Sequence, residues 1–150
     1  MYITGGFYDV TGKTYEGCRN KDLWLESECR TFSGEMYFGN KSGSWYGGGV
    51  SFYDPDSEWT TIMKMYKLTW GQLLDVQRQE GMNANWYGRR VCLGIHEDGC
   101  PIYTFTSEER RPANKPHEKY VEVIKEALVQ ECGCTEKQAE EYLKAAIKGK

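Results

Sequence analysis

Only two histidines, His96 and His117, occur in 150 residues. That scarcity leaves little room for a Ser-His-Asp triad or an imidazole-rich metal centre. No P-loop is present, no dinucleotide glycine fingerprint stands at a strand-to-helix turn, and there is no G-x-S-x-G elbow. The common nucleotide-binding and nucleophile-elbow machinery is therefore excluded. No apolar run approaches the roughly 20 residues that span a bilayer. No basic stripe exists either: Arg110-Arg111 follows Glu108-Glu109 and is locally neutralised. With a formal net charge of −3, neither nucleic acid nor membrane is an expected partner. The start, Met1-Tyr2-Ile3-Thr4, carries no signal-peptide pattern, and the expected location is cytoplasmic. Internal repeats, low-complexity tracts and linkers are also missing, so one domain over residues 1–150 is expected.

Six cysteines are present: Cys18, Cys29, Cys92, Cys100, Cys132 and Cys134. Cys132-Gly133-Cys134 lacks the C-x-x-C spacing of a zinc half-site, and neither histidine stands at ligand spacing from a cysteine pair. Without secretory context, free thiols are the expectation, with no metal and no cofactor. Aromatics are what the chain has in excess, 14% of residues, with 11 Tyr and 5 Trp. Core and sheet packing accounts for most of them; a surplus on loops suits a small-molecule pocket.

Along the chain, Met1 to Thr4 reads as a short strand ended by Gly5-Gly6, and Asp9 to Asn20 as loop or irregular helix. Leu23 to Arg30 and Thr31 to Phe38 read as paired strands, and Asn40 to Ser44 as a turn. Val50 to Tyr53 and Glu58 to Lys67 are further strands. At Thr69 the period changes. Thr69-Trp70-Gly71-Gln72 fits a capping box, and Trp70, Leu73, Leu74 and Gln77 follow at helical spacing, so a helix is expected over Trp70 to Gln79. Gly81 fits the left-handed position past its end. Tyr87 to Ile95 and Cys100 to Thr106 read as a hairpin joined by His96-Glu97-Asp98-Gly99. Two helices close the chain. Their apolar stripes are Tyr120, Val123, Ile124, Ala127, Leu128 and then Ala139, Tyr142, Leu143, Ala146, Ile147, with a second capping box at Thr135 to Gln138. The order implies a mixed, β-rich α/β domain, with a small mixed sheet or barrel and flanking helices, rather than a doubly wound parallel sheet.

Glu80 breaks a local rule. It is an acid at a helix C-terminus, the unfavourable end of the macrodipole, immediately before a glycine. Sites that break local rules are often functional or strained, although a solvated surface glutamate is a sufficient explanation of Glu80 taken alone.

Several stretches carry a resemblance when read together: Gly47-Gly48-Gly49-Val50, the strand from Trp59 to Tyr66, Leu74-Asp75-x-x-x-x-Glu80-Gly81, and Trp86-Tyr87 before a strand. With "CPIYTF", "NKPHEKYVEVIKEAL" and "CGCTEKQAEEYLKAA" downstream, this order resembles the γ-glutamylcyclotransferase-like family from Gly47 to Ile147. The helix is longer here between Asp75 and Glu80 than in the family pattern. The family's Tyr-Gly-Ser-Asn loop is matched by Thr4-Gly5-Gly6-Phe7, which keeps only the first glycine.

The resemblance implies a fold of that type and an intramolecular aminolysis. The α-amino group of a γ-glutamyl unit attacks its own γ-carbonyl, giving 5-oxoproline and a free amine or peptide. Glu80 would be the general base and acid. Thr4, Gly5, Gly6 and Phe7 would hold the glutamyl portion, largely through backbone N–H groups, and Tyr87 and Tyr103 would line the pocket. Sheet packing for each tyrosine and a plain turn for Gly5-Gly6 stay open beside those roles. The implied partner is a small-molecule γ-glutamyl substrate, with an oligomer possible through edge strands. The implied alternative is a non-catalytic relative that binds a small amino-acid-like metabolite, favoured by Phe7 in place of Asn.

Overall fold

The computed structural model describes residues 2–24 and 26–148. Eight strands, one 3-10 turn and three helices follow one another: β1 Gly6–Tyr8, β2 Lys13–Tyr15, β3 Ser27–Ser33, β4 Glu35–Gly39, the turn Gly43–Trp45, β5 Val50–Asp54, β6 Thr60–Tyr66, α1 Trp70–Glu80, β7 Arg89–Ile95, β8 Pro101–Thr106, α2 Glu118–Glu131 and α3 Glu136–Lys148. No helix among the described residues is long and apolar enough to cross a membrane. The mixed α/β expectation holds, but the small mixed sheet or barrel does not form among the described residues. The strands make separate two-stranded ribbons, β1-β2, β3-β6, β4-β5 and β7-β8.

The chain gathers into two compact units, each woven from two stretches. Unit 1 is Met1–Ser27 with Met65–Arg110, and unit 2 is Glu28–Lys64 with Arg111–Lys150.

Unit 2 holds the main apolar cluster. Phe38 of β4 meets Leu128 of α2 and Ala139, Leu143 and Ala146 of α3. The α2 stripe is Tyr120, Val121, Ile124 and Leu128, with Val129, so the expected Val123 and Ala127 give way to neighbours one or two positions away. Two tyrosine hydroxyls tie helices to strands. Tyr120 Oη accepts from Ser51 N at 3.1 Å, and Tyr142 Oη accepts from Ile62 N at 3.1 Å. The capping box ahead of α3 forms as expected, with Thr135 Oγ1 and Gln138 Oε1 exchanging bonds with each other's backbone N–H.

The expected pairing of Leu23–Arg30 with Thr31–Phe38 is corrected. β3 pairs with β6 and β4 with β5, with Gly39 opposite Val50 and Glu35 opposite Asp54. Gly34, at φ 130°, breaks the run where one ribbon hands over to the other. Its N–H goes to Trp59 O, and its carbonyl accepts from Thr61 Oγ1. A tight Ser33-Gly34 hairpin is thereby replaced by long-range partners.

The thiol expectation is also corrected: Cys29 and Cys132 form a disulfide that joins β3 to the end of α2. Cys18, Cys92, Cys100 and Cys134 are free.

In unit 1 the expected strand over Met1–Thr4 is replaced. Tyr2 to Thr4 form a turn, Met1 lies outside the described residues, and the strand is β1. Its partner β2 falls inside the stretch read as loop, with Gly6 opposite Tyr15 and Tyr8 opposite Lys13. The β7-β8 hairpin follows expectation. His96 N donates to Cys100 O at 2.8 Å and Gly99 N to His96 O at 2.9 Å.

Candidate functional site

Everything that positions Glu80 hangs on α1. Thr69 Oγ1 accepts from Gln72 N at 3.2 Å, and Thr69 N donates to Gln72 Oε1 at 3.1 Å, the reciprocal cap that the sequence spells. The helix does not bury the apolar stripe read from its spacing; what it buries is Gln72, Asp75 and Gln77. The reason lies in the segment from Glu16 to Asp22, irregular backbone whose polar groups need partners. Gln72 Nε2 donates to Asn20 O at 3.1 Å and Asp22 O at 2.8 Å. Asp75 Oδ2 accepts from Arg19 N at 3.0 Å and Arg19 Nε at 3.1 Å. Gln79 Oε1 accepts from Gly17 N at 2.8 Å, while its Nε2 donates to Tyr2 O at 2.8 Å. Side chains of α1 thus replace the ladder that a neighbouring strand would supply.

The Thr4-Gly5-Gly6-Phe7 loop is reached through this grip. Gly5 and Gly17 cross at close range, at φ 74° and 83°. A Cβ on Gly5 would stand 2.7 Å from Glu16 O, and one on Gly17 2.7 Å from Gly5 N. Glycine at both positions is a requirement of that crossing. Gly6 opens β1, Thr4 is exposed, and Phe7 is 62% exposed. Gln79, one residue before Glu80, holds the neighbours of this loop, Tyr2 O and Gly17 N, to the last turn of α1. Sequence reasoning missed Gln79, because no local pattern distinguishes it from the other glutamines of the helix.

The chain leaves α1 at Gly81, whose N–H still reaches Gln77 O at 3.1 Å. Its φ of 109° and ψ of 108° are positive-φ but extended, which corrects the expected left-handed cap. The difference arises because the next residues fold back. Trp86 N and Gly88 N both donate to Asn83 O, and Tyr87 N donates to Gly81 O at 3.0 Å. Tyr87 therefore sits in the turn before β7, not in the strand, and its carbonyl accepts from Gln77 Nε2 at 3.1 Å. The structure brings the Tyr87 backbone to the Glu80-Gly81 corner. Tyr103 lies elsewhere: its ring meets Trp70 edge to face at 6.0 Å, at the start of the helix. Ten residues of helix rise, about 15 Å, separate Trp70 from Glu80.

Glu80 itself is half-buried yet ringed by protein atoms. No hydrogen bond or ion pair engages its carboxyl among the described residues. Among the described residues, no fully enclosed polar side-chain atom lacks a partner. The partnerless oxygens of Glu80 therefore touch solvent, which describes a recessed carboxyl that keeps some access to water. Burial alone raises its pKa from 4.5 to about 7. Asp75, five residues earlier, shows the opposite behaviour. The Arg19 guanidinium and backbone N–H beside it hold its carboxyl below the usual range. One helix therefore carries a fixed carboxylate and a carboxyl poised near neutrality, the separation expected when one acid is structural and the other exchanges protons. Cys18 is fully buried beneath the helix, and burial pushes its thiol up, so it stays protonated.

No protein-family model matches the chain, and no solved structure matches it. Among curated proteins it is similar to histone deacetylase 5 of Arabidopsis thaliana, at 28% identity over 186 aligned positions. The alignment covers 97% of this chain and 28% of the relative, so the chain spans just over a quarter of that protein's length. This likeness overturns the expected γ-glutamylcyclotransferase activity. The named relative is a deacetylase, which points to hydrolysis rather than to cyclisation with release of 5-oxoproline.

Proposed function

We propose that unit 1 carries a proton-transfer site that hydrolyses an amide bond, with Glu80 as general base and then general acid. The observation that carries this reading is the recessed, partnerless Glu80 carboxyl, raised by burial to about 7. A base works best when its pKa lies near the operating pH and its proton can be exchanged with a bound water. In the step proposed, Glu80 takes a proton from water as the water oxygen bonds to the acyl carbon. The C–N bond then breaks, and Glu80 returns the proton to the departing nitrogen. The products are a carboxylic acid and an amine, so atoms and charge balance without a co-reactant. The relative's name supports a hydrolytic reading, because removal of an acetyl group is cleavage of an acyl bond.

The resemblance in motif order from Gly47 to Ile147 extends, on this reading, to the place of Glu80 and not to the reaction. Glu80 keeps the place of a proton-transferring carboxylate while water replaces the internal amine as nucleophile.

The test is turnover of a panel of N-acetyl-lysine peptides and N-acyl amines by the wild-type chain and by Glu80→Gln. Loss of roughly 10²–10⁴-fold in rate in the variant is expected. A variant that cleaves at the wild-type rate, or a wild-type chain that cleaves no member of the panel, overturns the assignment.

A further inference from the structure

Arg90, on β7, is a cation held in place without an acid. Arg19, Lys67 and Arg78 of the same unit each take a carboxylate, from Asp75, Asp98 and Glu16 respectively. Arg90 takes none among the described residues. Its Nε and Nη2 both donate to Gln77 Oε1, at 3.3 and 3.0 Å. Its Cζ lies 5.1 Å from the Trp70 ring centre and 5.8 Å from that of Tyr103.

The holder is rigid. Gln77 is 1% exposed, and its Nε2 is engaged by Tyr87 O. A guanidinium has five N–H donors in a planar fork; two are taken by Gln77, which leaves three. The two rings lie beside it, and Trp70 is 55% exposed, so the arrangement opens to solvent. A planar fork fixed by a buried amide, set beside two rings and lacking an acid, is preorganised for a compact oxyanion.

The position matters as much as the chemistry. Gln77 stands three residues before Glu80, and residues three apart share one side of a helix at about 5–6 Å. The guanidinium lies against Trp70, toward the start of α1, while the amide that holds it also donates to Tyr87 O, and Tyr87 N donates to Gly81 O at the corner that follows Glu80.

We propose that Arg90 recognises a compact oxyanion, carboxylate or phosphate, on a substrate whose scissile amide lies at Glu80, so that the substrate runs along α1 between the two. This rests on the reading of Glu80 as the base for amide hydrolysis, but its binding half can be measured without turnover.

The binding arm follows the Arg90 Nε–Hε signal by NMR while sodium acetate, or separately sodium phosphate, is added at constant ionic strength. Arg90→Lys keeps the charge and loses the fork, and Arg90→Met keeps the stem and loses both. In the variants the reporter is the indole N–H of Trp70, with circular dichroism confirming the fold. Saturable shifts in the wild type, at least tenfold weaker binding in Arg90→Lys and none in Arg90→Met are expected. Saturation by acetate alone or phosphate alone identifies the oxyanion. Equal titration of wild type and both variants, or no saturable shift with either anion, overturns the proposal.

In the turnover arm, the KM preference for an oxyanion-bearing amide over its neutral counterpart falls at least tenfold in Arg90→Lys. A preference that survives the substitution overturns the proposal, even where Glu80→Gln is inactive and the hydrolytic reading stands. Anion binding lost in Arg90→Met, together with a wild-type chain that cleaves no amide, sinks the hydrolytic reading and keeps Arg90 as an anion site.

Discussion

Glu80→Gln should make the protein more stable, and by an amount that depends on pH. The folded chain holds the carboxyl at a pKa of about 7, against 4.5 when it is fully solvated. Between those values the folded state binds more protons than the unfolded state, so stability falls as pH rises. The stabilising contribution of the neutral acid is fully present below 4.5 and lost as pH climbs through about 7. At about 1.4 kcal/mol per pH unit, forcing the charge into that recess costs about 3 kcal/mol, most of it incurred between about pH 5 and pH 8. Glutamine keeps the shape and never ionises. The gap between variant and wild type should therefore widen by about 2–3 kcal/mol from pH 5 to pH 8, or roughly 5–10 °C in melting temperature for a chain of this size. Paired urea titrations of both proteins at the two pH values measure it, and titrations shared by both cancel in the difference. A gap that stays constant across that range would refute the recessed, partnerless description of Glu80.

Other outcomes follow from the same contacts. For any amide the wild type cleaves, kcat/KM should rise with a single ionisation near pH 7 as Glu80 becomes the base; a flat profile from about pH 5.5 to 8 counts against it. Gln79→Leu leaves Gly17 N and Tyr2 O without their partner, and should lower stability by about 1–3 kcal/mol in urea denaturation. Gly17→Ala meets both a positive φ and the Gly5 backbone, and should cost more than about 2 kcal/mol; a midpoint unchanged from wild type would contradict the close crossing. Cys29→Ser should lose about 2–4 kcal/mol, and dithiothreitol should lower the wild-type midpoint while leaving the variant's unmoved.

What could be read from the sequence was local. The Thr69–Gln72 and Thr135–Gln138 caps and the Asp98-Gly99 turn are specified within four residues, and each forms. The stripes of α2 and α3 were legible for a related reason, since helical periodicity repeats its own signal. Strand partners were not. β3 and β6 read as well-formed strands, but what chooses between partners is Gly34 and its distant contacts at Trp59 and Thr61. The same holds for α1. Periodicity marks its leucines, yet its buried side chains are amides and a carboxylate, because Gln72 and Asp75 meet backbone groups 50 to 56 residues away and Gln77 meets Tyr87 O. Glu80 stood out as an acid at the wrong end of a helix. Its recess, and the absence of any partner for it, belong to the tertiary structure. Arg90 carried no signal at all, being one of two adjacent arginines at a strand start.

The Cys29–Cys132 bond also has a mechanical side. Its cysteines are 103 residues apart along the chain and 5.4 Å apart between Cα atoms. Stretched out, a segment of that length would reach about 350 Å. An oxidised molecule pulled by its two ends cannot release it, because tension crosses the sulfur bridge. The whole of α1, β7 and β8 lies inside the bridged loop, so the stretch that bears Glu80 is not drawn out along the chain while the bridge is intact. A force trace would recover the hidden length only after a reductant is added.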